Sequence, residues 1–326
     1  MGCLERVHPA DARGRRIPGC PWPRHPPTCL SRSWVGTHRG LCSLTSENWH
    51  DGAVTARLRK WPFVVVAIVM AAAFVASYLF FVRTYAGQIV DERAFNGAAD
   101  QHTLIYRLSG AFLGNVPYIA IGGGVVLTLL IGGLTRRPKH IIVALAVGAV
   151  ALGLAELSKY VFLSRAQTGA TDAFNNSFPS GHATVAAAAA FAVFLVCTPR
   201  WRPLAAVLGG AFAVLTGILA LISQWHRPSD LVAGFMLVAA CASLGGAALI
   251  GWRVPVATRP ARSLNALWWV AGVSAAISLV SFVWIYVTVQ DHGSHLEIAY
   301  LGGSTAILAV GSGFTVAGNR LFRDLS

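Results

Sequence analysis

The sequence predicts an all-α integral membrane protein, with a six-span helical core and two further C-terminal transmembrane helices. Three observations predict it. Of 326 residues 55% are hydrophobic and only 12% charged, too few charges for a soluble domain to cover its own surface. The apolar residues fall in successive runs of about 17–25, the length at which a helix crosses the hydrocarbon core of a bilayer. Finally, every Lys and Arg except Lys159, near the end of the third run, falls outside those runs.

The eight runs cover approximately 62–82, 117–134, 141–162, 183–198, 203–223, 230–251, 267–289 and 297–317. Glycines recur inside them, as at Gly122–Gly124 and Gly245–Gly246, where small residues let helix backbones approach in the absence of a hydrophobic drive. Trp268 and Trp269 open the seventh run as interfacial anchors. Ahead of the first run, residues 1–60 are rich in Arg, Pro and Gly, and hold Cys3, Cys20, Cys29 and Cys42, four of the six cysteines. This composition predicts a disordered, basic cytoplasmic segment. Its cysteines lack a Cys-x-x-Cys pair, so no zinc site is expected. The chain thus divides into 1–60, a core over 61–251, and the last two spans with a short tail over 252–326.

A net charge of +13 would suit a nucleic-acid partner, but its distribution excludes one. With the N-terminus in the cytoplasm, only Arg83, Arg93, Arg107, Lys159, Arg165 and Arg227 of the 26 Lys and Arg fall outside. That asymmetry orients the chain with both termini cytoplasmic, in the plasma membrane.

The polar residues that remain gather at the outer ends of spans three to six: Glu156, Lys159 and Arg165, then Ser177-Phe178-Pro179-Ser180-Gly181-His182, then Gln224 to Asp230. Ionisable groups beside apolar spans are costly, so a converging set points to function. Ser180 precedes the fourth span and caps it, leaving free N–H groups in the first turn and an anion site at the helix N-terminus. Gly181 lets that backbone approach a ligand closely. His226 and Asp230 stand four apart at the entry to the sixth span, a spacing at which a carboxylate fixes one imidazole nitrogen and makes the other more nucleophilic. With His182 at the neighbouring helix end, one histidine can attack and the other can protonate a departing oxygen. Lys159 and Arg165 supply cations on the same side, and Glu156 is expected to pair with Lys159.

At these residues the chain resembles the type 2 phosphatidic acid phosphatase family, the membrane phosphatases that share a core with vanadium haloperoxidases. The resemblance rests on Pro179-Ser180-Gly181-His182 and on His226 with Asp230 four residues on, and spans roughly residues 60–250. It implies that His226 forms a phosphohistidine, Asp230 orients it and His182 is the general acid, while Lys159, Arg165, Ser180 and Gly181 hold phosphate. It further implies a lipid or polyprenyl phosphate as substrate, acted on at the outer face, without cofactor or metal. Two departures stand out. Five residues rather than six separate Lys159 from Arg165, which Ala166 follows instead of Pro, and Leu219-Ala220 occupy the places of a Ser-Arg pair ahead of the nucleophile. Arg227 or Gln224 is the candidate replacement for that lost phosphate contact. The outer segment 83–116 lies where it could cover the site, and the histidines of the loop 291–295 read as solvated.

Overall fold

The computed structural model describes residues 59–98, 104–171, 175–252, 254, 262–289 and 295–325. The expectations for residues 1–58, and for residues 291–294 of the last outer loop, lie outside the described residues. All regular structure among the described residues is helical. The elements are α1 (Trp61–Ser77, running on as a π turn, Tyr78–Val82), α2 (Tyr85–Gly97), α3 (Leu104–Tyr118), a π turn (Ile119–Gly123), α4 (Gly124–Leu134), and α5 (Pro138–Leu157, with a π turn over Ser158–Phe162). They continue as α6 (Gly181–Val196), α7 (Arg202–Ile222), α8 (Pro228–Gly251), α9 (Ala266–Val287) and α10 (Leu296–Leu321).

Seven helical stretches among the described residues are long and apolar enough to cross a membrane, and the chain is a multi-pass membrane protein. The fourth expected span, α6, has 16 residues, a rise of about 24 Å that falls short of a bilayer core. It starts at Gly181, two residues ahead of the expected run, with the polar residues converging at its N-terminus. The second span differs from expectation. It is apolar enough from Tyr106 onward, eleven residues earlier than the sequence suggests, because Arg107, Ser109, Asn115 and Pro117 interrupt the apolar run without breaking the helix. Ser109 and Asn115 satisfy themselves on the carbonyls of Tyr106 and Ala111.

α8 is the central strut, with buried residues along its length from Pro228 to Leu249, and it packs on α1, α5, α6 and α10. The C-terminal pair is not an appendage, since α10 also lies against α2 and α7. At the end away from the polar cluster, the fully buried guanidinium of Arg202 donates to the carbonyls of Cys197 (3.1 Å), Phe322 (2.9 Å) and Leu325. One side chain thereby ties the end of α10 to the α6–α7 corner. At the opposite end Leu113, Ala183, Ala220, Leu231, Phe235 and Ile307 form a packed apolar floor, and the polar residues stand on it.

Candidate active site

Ser180 is buried with an extended backbone, and its Oγ accepts the N–H of Ala183 at 3.3 Å as the cap of α6. Its own N–H donates to the carbonyl of Asp230 at 2.9 Å, joining the starts of α6 and α8. This leaves the first turn of α6 with N–H donors and the positive end of its dipole directed at the polar cluster. Glu156 and Lys159, expected to pair with each other, both reach over Gly181: a Cβ there would lie 3.6 Å from Glu156 Oε1 and 3.9 Å from Lys159 Nζ.

His226 comes from the tight turn between α7 and α8. The N–H groups of Trp225 and His226 donate to the carbonyl of Ala220 at 3.0 and 3.4 Å, and Gln224 takes a left-handed φ of 54°. The turn brings the His226 ring to 5.7 Å from that of His182, between centroids. His226 Nδ1 lies 3.6 Å from Asp230 Oδ2, longer than a hydrogen bond, so Nδ1 is the ring nitrogen that faces the carboxylate. Asp230 is fully buried, and its Oδ2 accepts Ser177 Oγ at 2.7 Å and the N–H of Arg227 at 3.2 Å.

His182 packs edge-on against Trp225 at 5.1 Å and hydrogen-bonds the backbone of Leu113. Pro117, four residues beyond Leu113 in α3, has no N–H with which to claim that carbonyl. The two histidines are therefore held separately, one from α3 and the other from α8.

Arg165 carries the most informative geometry. The residue is buried, and among the described residues none of its three guanidinium nitrogens has a partner, although its charge acts on Asp230. Its neighbours are pinned on both sides. Tyr78 Oη donates to the Ser164 carbonyl at 2.9 Å and Arg83 Nη1 to Ser164 Oγ at 3.1 Å. The Ala166 N–H bonds the Val82 carbonyl at 3.2 Å, and Gln88 Nε2 donates to the Ala166 carbonyl at 2.8 Å. A buried, unpaired cation is costly, and an anion among the two histidines and the N-terminus of α6 would satisfy it.

Arg227 is engaged elsewhere. Its Nη2 lies 2.6 Å from Glu92 Oε2 and 3.1 Å from Thr171 Oγ1, and its guanidinium covers the Phe95 ring at 5.0 Å. Ala220, at the place of the family's arginine, is fully buried in the apolar floor.

Sequence reasoning missed α2. Thr84 caps it, accepting the Gly87 N–H at 3.1 Å, and its polar face meets the site. Asp91 accepts both the N–H of Ser229, at 3.0 Å, and its hydroxyl. The available signal was the spacing of Gln88, Asp91, Glu92 and Phe95 at i, i+3, i+4 and i+7, one face of a helix.

Burial, reinforced by the nearby Asp230 carboxylate, raises the Asp91 pKa from 3.8 to about 7. A folded-state value above the ordinary one means the stability contributed by Asp91 is complete below pH 3.8 and lost as the pH rises to about 7. Melting of the detergent-solubilised protein at about pH 5 and pH 7.5 should therefore show a smaller decline with pH in Asp91→Asn than in the parent. Equal declines would contradict this assignment.

Comparison with known proteins yields one family. Residues 119–247 match the model of the PAP2 superfamily. No curated protein and no solved structure matches the chain. The matched stretch holds Lys159, Arg165, Ser180, Gly181, His182, His226 and Asp230, so the part of this multi-pass membrane chain that carries the site is similar to the PAP2 superfamily, which supports a phosphatase-type function.

Proposed function

We propose that the protein hydrolyses a lipid or isoprenoid phosphate, either a monoester or a terminal pyrophosphate, at the outer membrane face through a phosphohistidine at His226. The six-span core over 61–251 carries the site, and both termini are cytoplasmic, in the plasma membrane. The observation that carries this reading is the buried, unpartnered guanidinium of Arg165 beside the His226–Asp230 pair.

In this reading phosphate oxygens bind Arg165, Lys159 and the N–H groups of the α6 first turn. His226 Nε2 attacks phosphorus, the bond from phosphorus to the lipid oxygen breaks, and His182 gives that oxygen its proton. Water then attacks the phosphohistidine, His182 takes the proton back, and inorganic phosphate leaves. Positioning and charge stabilisation supply most of the catalysis in phosphoryl transfer. The cations and amide donors on this face offer both, so no metal is invoked.

The test is phosphate release by the detergent-purified protein from phosphatidic acid, phosphatidylglycerol phosphate and polyprenyl pyrophosphate, with EDTA present. Turnover should survive EDTA, and the relative rates rank the substrates. In Arg165→Met, loss of a charge-assisted contact worth about 1.5–3 kcal/mol should lower kcat/KM by about 10- to 150-fold. An unchanged Arg165→Met would remove the basis of the reading. The buried Ala220 at the family's arginine position favours one rival, a lipid-phosphate binder without turnover, and binding of the panel with no phosphate release would select it.

A further inference from the structure

The helix α2 and the C-terminal pair α9–α10 lie outside the stretch matched to the superfamily, yet α2 contacts both loops of the site. Gln88 is fully buried. Its Nε2 donates to the carbonyls of Val82 and Ala166, both at 2.8 Å, and its Oε1 accepts Thr168 Oγ1. This fixes the chain next to Arg165. One turn on, Glu92 pairs with Arg227 at 2.6 Å and Asp91 accepts both donors of Ser229. Gln224 Nε2 reaches the Phe95 carbonyl at 3.4 Å. The turn holding His226 is thus bonded to α2 on both sides of the histidine.

The far side of α2 is braced in turn. Arg93 donates to the carbonyls of Thr288 and Val289, both at 3.1 Å, at the end of α9. In α10, a Cβ on Gly303 would lie 2.6 Å from Pro228 and 3.2 Å from Ala94. Only a glycine there lets α10 press α2 against the start of α8. Among the described residues His226 Nδ1 has no hydrogen-bond partner and stands 3.6 Å from Asp230, so the aim of the ring depends on the backbone that carries it.

We infer that Asp91 and Glu92 are positioning residues: through Ser229 and Arg227 they hold the His226 turn in line with the bound phosphate, and the α9–α10 hairpin is the brace that keeps α2 in place. As a statement about catalysis, this rests on the function proposed above. As a statement about the turn, it does not.

The test therefore has two readouts on Glu92→Gln. In the phosphate-release assay kcat should fall about 10- to 100-fold with KM within about twofold, and Glu92→Asp, which keeps the charge, should recover most of it. Hydrogen–deuterium exchange should quicken at residues 223–231 while α6 keeps its protection. A turn that exchanges as in the parent overturns the inference, and so does exchange that quickens throughout the bundle, which would mark a general folding role. Loss of affinity in place of kcat would make Glu92 part of substrate binding and overturns it too. If the parent protein hydrolyses nothing on the panel, the proposed function fails, and the exchange experiment still decides whether α2 holds the turn.

Discussion

His226→Ala loses phosphate release by at least about 10³-fold, the scale on which removing a nucleophile acts. The groups proposed to hold phosphate, namely Arg165, Lys159 and the α6 N-terminus, come from other elements and are untouched by the change. Inorganic phosphate should accordingly still bind the variant with little loss, read by competition or by thermal protection. The fold has little at stake in this side chain, because Nδ1 has no hydrogen-bond partner and the turn is held by backbone bonds to Ala220. A variant that keeps turnover would move the nucleophile elsewhere, with His182 the next group to test.

The second large effect concerns Asp230→Asn, expected to lower kcat by about 10²- to 10⁴-fold at nearly constant volume. One carboxylate oxygen, Oδ2, accepts Ser177 Oγ and the Arg227 N–H and lies 3.6 Å from His226 Nδ1. An amide presents either its NH₂ or its oxygen at that position. With its NH₂ there it would lose both accepted bonds, donate to Nδ1, shift the ring proton to Nε2 and block the attacking nitrogen. With its oxygen there it would keep these contacts but withdraw the negative charge that supports an imidazole bearing a phosphoryl group. Measured kcat should fall in either case while phosphate affinity changes little. A drop in melting temperature comparable to the loss of activity would instead assign Asp230 a structural role, as the cap of α8.

The spans and the heart of the site were legible because each rests on local physics. A helix that must satisfy its own backbone in lipid needs a long apolar run, and the start of α6 declares itself by Ser180 and Gly181. His226 and Asp230 could be paired from their spacing alone. Lys159 and Arg165 were read onto one face although their spacing is one residue short of the family's. Arg165 is set by anchors from α1 and α2, through Ser164 and Ala166, which are long-range and leave no mark in the local sequence. The same reason hid the partner of Arg227, since Glu92 lies 135 positions away. The start of the second span was obscured because Ser109 and Asn115 bond their own helix, so polar letters did not mean exposure to water. The segment 83–116 could not be told as lid or linker for a different reason. Its helical face is polar, and a search for apolar stripes passes over it.

The central claim is that phosphorus becomes bonded to His226. The most direct measurement is an alkaline quench during turnover of the best substrate, which preserves an acid-labile phosphohistidine, followed by mass analysis of the peptide spanning the α7–α8 turn. The account predicts one added phosphoryl group on His226, present in the parent and in EDTA, and absent in His226→Ala. Steady phosphate release with His226 unmodified at every time point would contradict it.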